Sequence, residues 1–127
     1  MSYNWSSKTV LIAEDEQTNY LFLEAALDPT RMRIIHAKNG REALDMYKAN
    51  PDIDLVLMDI KMPMMNGFLA TREIKSLSPE TPVIAQTAYA MDYDREEIIR
   101  AGCDDYITQP IQIDILLEKI AVFLNKD

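Results

Sequence analysis

Four acids and a threonine stand at the ends of short apolar runs. Val10-Leu11-Ile12-Ala13 leads into Glu14-Asp15-Glu16, Leu55-Val56-Leu57-Met58 leads into Asp59, and a third run ends at Thr87-Ala88. If the first two runs are neighbouring strands, Glu14, Asp15 and Asp59 meet in one crevice and repel unless a cation sits among them. Oxygen-only ligands without His or Cys favour a hard divalent ion, Mg²⁺ first, which keeps several waters and recruits phosphate oxygens. Thr87 then stands opposite Asp59 as a hydroxyl donor, and the small Ala88 leaves room beside it. A carboxylate nucleophile, a metal, a hydroxyl and open space suit phosphoryl transfer onto Asp59.

These residues need strands to hold them. Apolar runs alternate with helical patterns along the chain. Thr9 to Ala13, Met32 to Ala37, Leu55 to Met58, Pro82 to Thr87 and a short stretch around Tyr106-Ile107 read as strands. Helical stretches lie between them: one with Tyr20, Leu23 and Leu27, one opened by Asn39-Gly40 and closed at Asn50-Pro51, and one capped by Asn66 with Ala70, Ile74 and Leu77 facing inward. A charged helix over 91–101 stops at Gly102. Ile113, Leu116, Leu117, Ile120 and Leu124 give the last helix its period. A strand apolar on both sides belongs in a parallel sheet covered by helices on both faces. Five β-then-α units predict an α/β fold with a mostly parallel sheet, whose ligand site lies beyond the carboxyl ends of the strands.

Composition narrows the function. The chain has 127 residues, the length of one domain. Twenty-one acids against 13 bases give a net charge of −8, which argues against direct nucleic-acid binding. Three glycines build no dinucleotide or P-loop turn. One cysteine, Cys103, excludes a disulfide framework and reads as an inert small residue. No stretch approaches the ~20 apolar residues of a membrane span, and the polar N-terminus lacks a signal-peptide core. The expectation is a soluble cytoplasmic protein.

The run Val10-Leu11-Ile12-Ala13-Glu14-Asp15, the run from Leu55 to Gly67 with Asp59-Ile60-Lys61-Met62-Pro63 at its centre, Thr87-Ala88, and Asp104-Asp105-Tyr106-Ile107 together resemble the receiver domain of two-component response regulators. The likeness extends over residues 8–125, leaving 1–7 as an N-terminal extension and 126–127 as a tail. Ala85-Gln86-Thr87-Ala88-Tyr89-Ala90-Met91 and Trp5 resemble more narrowly the receivers of hybrid sensor histidine kinases. The resemblance implies a flavodoxin-like receiver fold, a five-stranded parallel sheet of order 2-1-3-4-5 with five helices on its two faces. It implies that Asp59 takes a phosphoryl group from a phosphohistidine on a histidine kinase or histidine phosphotransfer domain. Asp15, Asp59 and Glu14 would hold Mg²⁺ with the backbone carbonyl of Lys61. Thr87 would bond the phosphoryl oxygen and Tyr106 would change rotamer with it. The domain would be a self-phosphorylating switch with weak autophosphatase activity rather than an enzyme. Lys61 and Tyr89 sit where the family tunes hydrolysis, and a bulky Tyr89 implies a long-lived phosphoryl group.

One position departs from the family. A lysine is expected before Pro110, and the residue is Gln109. Its amide donates hydrogen bonds without charge, and a charge-assisted bond is roughly twice as strong. Slower phosphorylation follows, or a phosphate-independent pseudo-receiver that acts as an interaction module. Two other readings fit less well. Glu14-Asp15-Glu16 would repel the phosphate of a flavin carrier. A haloacid-dehalogenase-type phosphatase wants a second Asp where Lys61 stands. His36 in a strand reads as structural, and Met58, Met62, Met64 and Met65 as packing and loop surface. Residues 91–105 hold six acids and two arginines, ordinarily a solvated face. With the last helix, residues 91–124 are the expected surface for an output partner or a homodimer. No DNA-binding segment follows Asp127, so the chain reads as a single-domain regulator or a piece of a larger kinase.

Overall fold

Each apolar run forms a strand, and the alternation of its side chains divides the core in two. The computed structural model describes residues 3–62, 64–88 and 92–125, with backbone only for 92–94. Pro63, Tyr89, Ala90 and Met91 of the motifs, and residues 126–127, lie outside the described residues. The elements run β1 (Thr9–Ala13), α1 (Gln17–Leu27), a 3₁₀ turn (Asp28–Thr30), β2 (Arg33–Ala37), α2 (Gly40–Ala49), β3 (Leu55–Asp59), α3 (Gly67–Leu77), β4 (Val83–Thr87), α4 (Asp92–Ala101), β5 (Asp105–Thr108) and α5 (Ile113–Leu124). The sheet is parallel throughout, in the order β2-β1-β3-β4-β5.

Val10, Ile12, Leu55, Leu57, Ile84 and Ile107 pack with Tyr20, Leu23 and Leu27 of α1 and with Leu116, Ile120 and Leu124 of α5. The intervening residues Leu11, Ala13, Val56, Met58 and Val83 point the other way, to Ala43, Leu44 and Tyr47 of α2 and Ala70 and Ile74 of α3. Ile60 and Ala85 meet Ile98 of α4. The strands are therefore apolar on both sides because both sides are covered. Two helix starts are fixed by asparagine: Asn39 Oδ1 accepts from the Glu42 amide at 2.8 Å and Asn66 Oδ1 from the Leu69 amide at 3.0 Å. Asp104 ties α3 to the start of β4, with Lys75 Nζ at 2.6 Å and the Val83 amide at 2.8 Å.

Two positions expected to face inward do not. Leu77 is 54% exposed and Ile113 is 43% exposed. Each is a terminal residue of its helix, Leu77 the last of α3 and Ile113 the first of α5, with a further helical turn to cover it on one side only. Among the described residues, no helix is long and apolar enough to cross a membrane.

The segment ahead of β1 is part of the core. Trp5 is 3% exposed, stacks on Tyr3 with centroids 4.8 Å apart, and donates its Nε1–H to Asn125 Oδ1 at 2.8 Å. Trp5→Phe removes that donor and leaves a small void. We expect it to lower stability by about 1–2 kcal/mol, read as a lower urea midpoint with an unchanged slope.

Candidate functional site

β1 and β3 are hydrogen-bonded neighbours, pairing Ala13 with Met58, so the acids that follow them emerge side by side. Glu14 extends the ladder, its amide donating to the Ala37 carbonyl at 2.9 Å. Its own carbonyl accepts from His36 Nε2 at 2.9 Å. A carbonyl only accepts, so the proton of a neutral His36 sits on Nε2. The His36 ring lies flat on Tyr20, with centroids 3.6 Å apart. His36 is thus structural, holding the loop that carries Glu14. Asp59 is the last residue of β3, and its Oδ1 accepts from the Lys61 amide at 3.1 Å.

Glu14, Asp15 and Asp59 each place a carboxylate oxygen within 4.8 Å of the other two. Glu14 is 2% exposed, a depth at which a carboxylate needs partners. It accepts a hydrogen bond from Asn19 Nδ2 and another from the Glu16 amide at 3.1 Å. Burial first, and then the charge and hydrogen bonding of Glu14, push the Asp59 carboxyl up to about 8. The Lys61 amide pulls the other way and Asp15 adds a smaller push upward. A cation among these oxygens relieves the repulsion that raises Asp59. The donor set is all oxygen and partly open to solvent, which suits Mg²⁺; Glu14, Asp15, Asp59 and the Lys61 carbonyl are the groups that would hold it.

The acids line a cavity of about 230 Å³ together with Asn19, Lys61, Gln86, Thr87, Ala88 and Gln109. Seven of the residues singled out from the sequence, Glu14, Asp15, Asp59, Lys61, Thr87, Ala88 and Gln109, thus surround one space. Tyr106 is not among the lining residues. Its hydroxyl accepts from Arg95 Nε at 3.0 Å, and its ring centroid is 5.7 Å from the Arg95 guanidinium carbon and 5.8 Å from Lys119 Nζ. Burial pushes the Cys103 thiol up to about 11, which disfavours the thiolate form.

The sheet register corrects one placement. Thr87 does not stand opposite Asp59; Gln86 does. Thr87 lies one residue further toward the open end, at the strand terminus, where its carbonyl accepts from the Gln109 amide at 2.9 Å. Asn19 and Gln86 are cavity residues that reading for acids and hydroxyls passed over. The available signal was Gln86 itself, a polar residue inside an otherwise apolar buried strand.

Residues 10–121 match the family model of the response regulator receiver domain. The autoinducer 1 sensor kinase/phosphatase LuxN of Vibrio campbellii is 34% identical over 124 residues, which is 98% of this chain and 14% of LuxN. The chain therefore spans about a seventh of that relative. The receiver domain of sensor histidine kinase PA1611 from Pseudomonas aeruginosa, solved with a magnesium ion in its active-site cleft, is 30% identical with a TM-score of 0.87, over 94% of this chain and 98% of that one. The receiver domain of the Saccharomyces cerevisiae response regulator Ssk1, solved with the histidine phosphotransfer protein Ypd1, is 27% identical with a TM-score of 0.86, over 93% and 89%.

Proposed function

This chain belongs to the response regulator receiver domain family, and from that premise we propose that it accepts a phosphoryl group on Asp59 from a phosphohistidine. The observation that carries the proposal is the meeting of Asp59 with Glu14 and Asp15, oxygens within 4.8 Å, at a cavity walled by Thr87 and Ala88. In the transfer an ionised Asp59 oxygen attacks phosphorus, the P–N bond to the donor imidazole breaks, and that imidazole leaves with the electron pair and takes up a proton. Bound Mg²⁺ would supply positive charge to both the carboxylates and the incoming phosphoryl oxygens. Thr87 donates its hydroxyl to one phosphoryl oxygen and Gln109 its amide to another. Slow water attack restores Asp59, so the domain is a switch that turns over once on itself rather than an enzyme.

The donor is a histidine kinase or a histidine phosphotransfer domain, which the Ssk1 complex with Ypd1 supports, and the setting is cytoplasmic. Tyr106 and the surface formed by 91–124 carry the response to an output partner or a second copy. Gln109 favours a second reading, a pseudo-receiver that binds its partner without phosphate. Incubation with acetyl phosphate or phosphoramidate plus Mg²⁺ separates the two. We expect one phosphoryl group by intact mass, absent in Asp59→Asn and absent when Mg²⁺ is chelated. No mass gain with any donor selects the pseudo-receiver.

A further inference from the structure

We propose that the side-chain amide of Gln86 is a second neutral donor to the phosphoryl group, acting with Gln109 where a cation is lacking. The inference rests on the phosphoacceptor reading of Asp59 and extends it by one residue. Gln86 is 0% exposed within β4, and its Nε2 finds no hydrogen-bond partner among the described residues. Buried amide donors are almost always paired, and an unpaired one is costly to keep. An orphan donor in a cavity wall therefore points to an acceptor that arrives there.

The amide's orientation is set. Its Oε1 lies 3.4 Å from Asn19 Nδ2, which also donates to Glu14. Flipping the Gln86 amide would set two NH₂ groups face to face. Nε2 is thus the free end, and the residue lines the same cavity as Asp59, Thr87 and Gln109. The register pairs Gln86 with Asp59 on adjacent strands, so both side chains rise from the same face of the sheet. The ligand that suits an uncharged N–H beside an acidic, cation-binding cleft is an anionic oxygen bonded to Asp59 itself. A phosphoryl oxygen is such an acceptor. Two amides, one from β4 and one from the loop after β5, would then share the contact that a single lysine makes as a point charge.

Beryllofluoride, which adds to an aspartate oxygen as a phosphoryl mimic, tests this with the full chain and Mg²⁺ by titration calorimetry. Gln86→Leu keeps the volume and removes the donor; we expect the dissociation constant to rise about tenfold. In a Gln109→Lys background the same change should cost less than about twofold, because the cation makes the amide redundant. Equal losses in both backgrounds mean that Gln86 merely supports Asn19 and the fold, and they overturn the inference; so does an unchanged constant in the native background. Should Gln86→Leu fail to fold, Gln86→Met gives the same comparison. If the native chain itself takes up no beryllofluoride, the phosphoacceptor reading falls, and this inference with it.

Discussion

Gly67→Ala is expected to destabilise the protein by about 3 kcal/mol and to disable the site, although Gly67 touches no ligand. A Cβ there would lie 2.2 Å from the Asp59 carbonyl oxygen and 2.8 Å from the Ile60 Cα. Both neighbours are backbone, so no side chain can swing away. The Gly67 amide also donates to the Ile60 carbonyl at 2.9 Å, which pins the first turn of α3 under the end of β3. Overpacking in a well-filled interior costs about 1–3 kcal/mol, and contact with fixed backbone belongs at the upper end. Relief requires either α3 or the Asp59 peptide to move, and the second displaces the acid from Glu14 and Asp15. Urea unfolding and Mg²⁺ titration read the two consequences separately. Gly102→Ala is the control. Gly102 has φ +98, and a Cβ there would meet only the Lys75 side chain, Cγ at 3.4 Å and Cβ at 3.8 Å, so the change should cost about 1 kcal/mol from backbone strain alone and leave Mg²⁺ affinity intact. A Gly67→Ala protein within about 0.5 kcal/mol of the native one would refute this account of the β3–α3 junction.

The second large effect is a stability gap between the native protein and Asp59→Asn that depends on pH and vanishes with metal. Asp59 is raised from 3.8 to about 8 in the fold. The folded protein therefore binds a proton there that the unfolded chain has released, across the window from about 4 to 8. By linkage, stability contributed by this group falls as pH rises through that window and is level above it. Asn carries no such charge. The Asn variant should match the native protein near pH 4, gain on it steadily, and lead by about 1–2 kcal/mol above pH 8, a figure discounted for the solvent that reaches the cleft. Saturating Mg²⁺, which Glu14, Asp15 and Asp59 of the native fold would hold more tightly than the site lacking the Asp59 carboxylate, should close the gap at pH 8. Melting both proteins across pH, with and without Mg²⁺, measures it. A gap that is constant with pH removes the burial of Asp59 and its repulsion by Glu14 and Asp15 as the cause.

Much of this arrangement is legible in the residues. The five apolar runs predict the parallel sheet, and the acids after the first and third of them predict a carboxylate cluster once those two strands are neighbours; the strand order that makes them so is what the resemblance to receiver domains implies, and the structure has it. What escapes a linear reading is phase. In β4 every residue from Val83 to Thr87 is buried, so alternation does not announce which of Gln86 and Thr87 shares a face with Asp59. Only the register with β3 decides it. The position of Asn19 likewise depends on how α1 is rotated about its axis. The resemblance groups Tyr106 with Thr87, and what it does not disclose is that Arg95 of α4 and Lys119 of α5 are the cations beside the ring. Trp5 looked like part of an extension because its partner, Asn125, lies 120 positions away along the chain.

That clasp between Trp5 and Asn125 has a consequence for how the domain can be wired. It brings the two ends of the folded unit to one pole, at the start of β1 and the finish of α5, while the acidic cleft lies at the carboxyl ends of the strands. Polypeptide attached at either end leaves from the same side, as two leads leave a plug. The unit is therefore suited to insertion into another chain, or to circular permutation with a short splice, without obstructing the cleft.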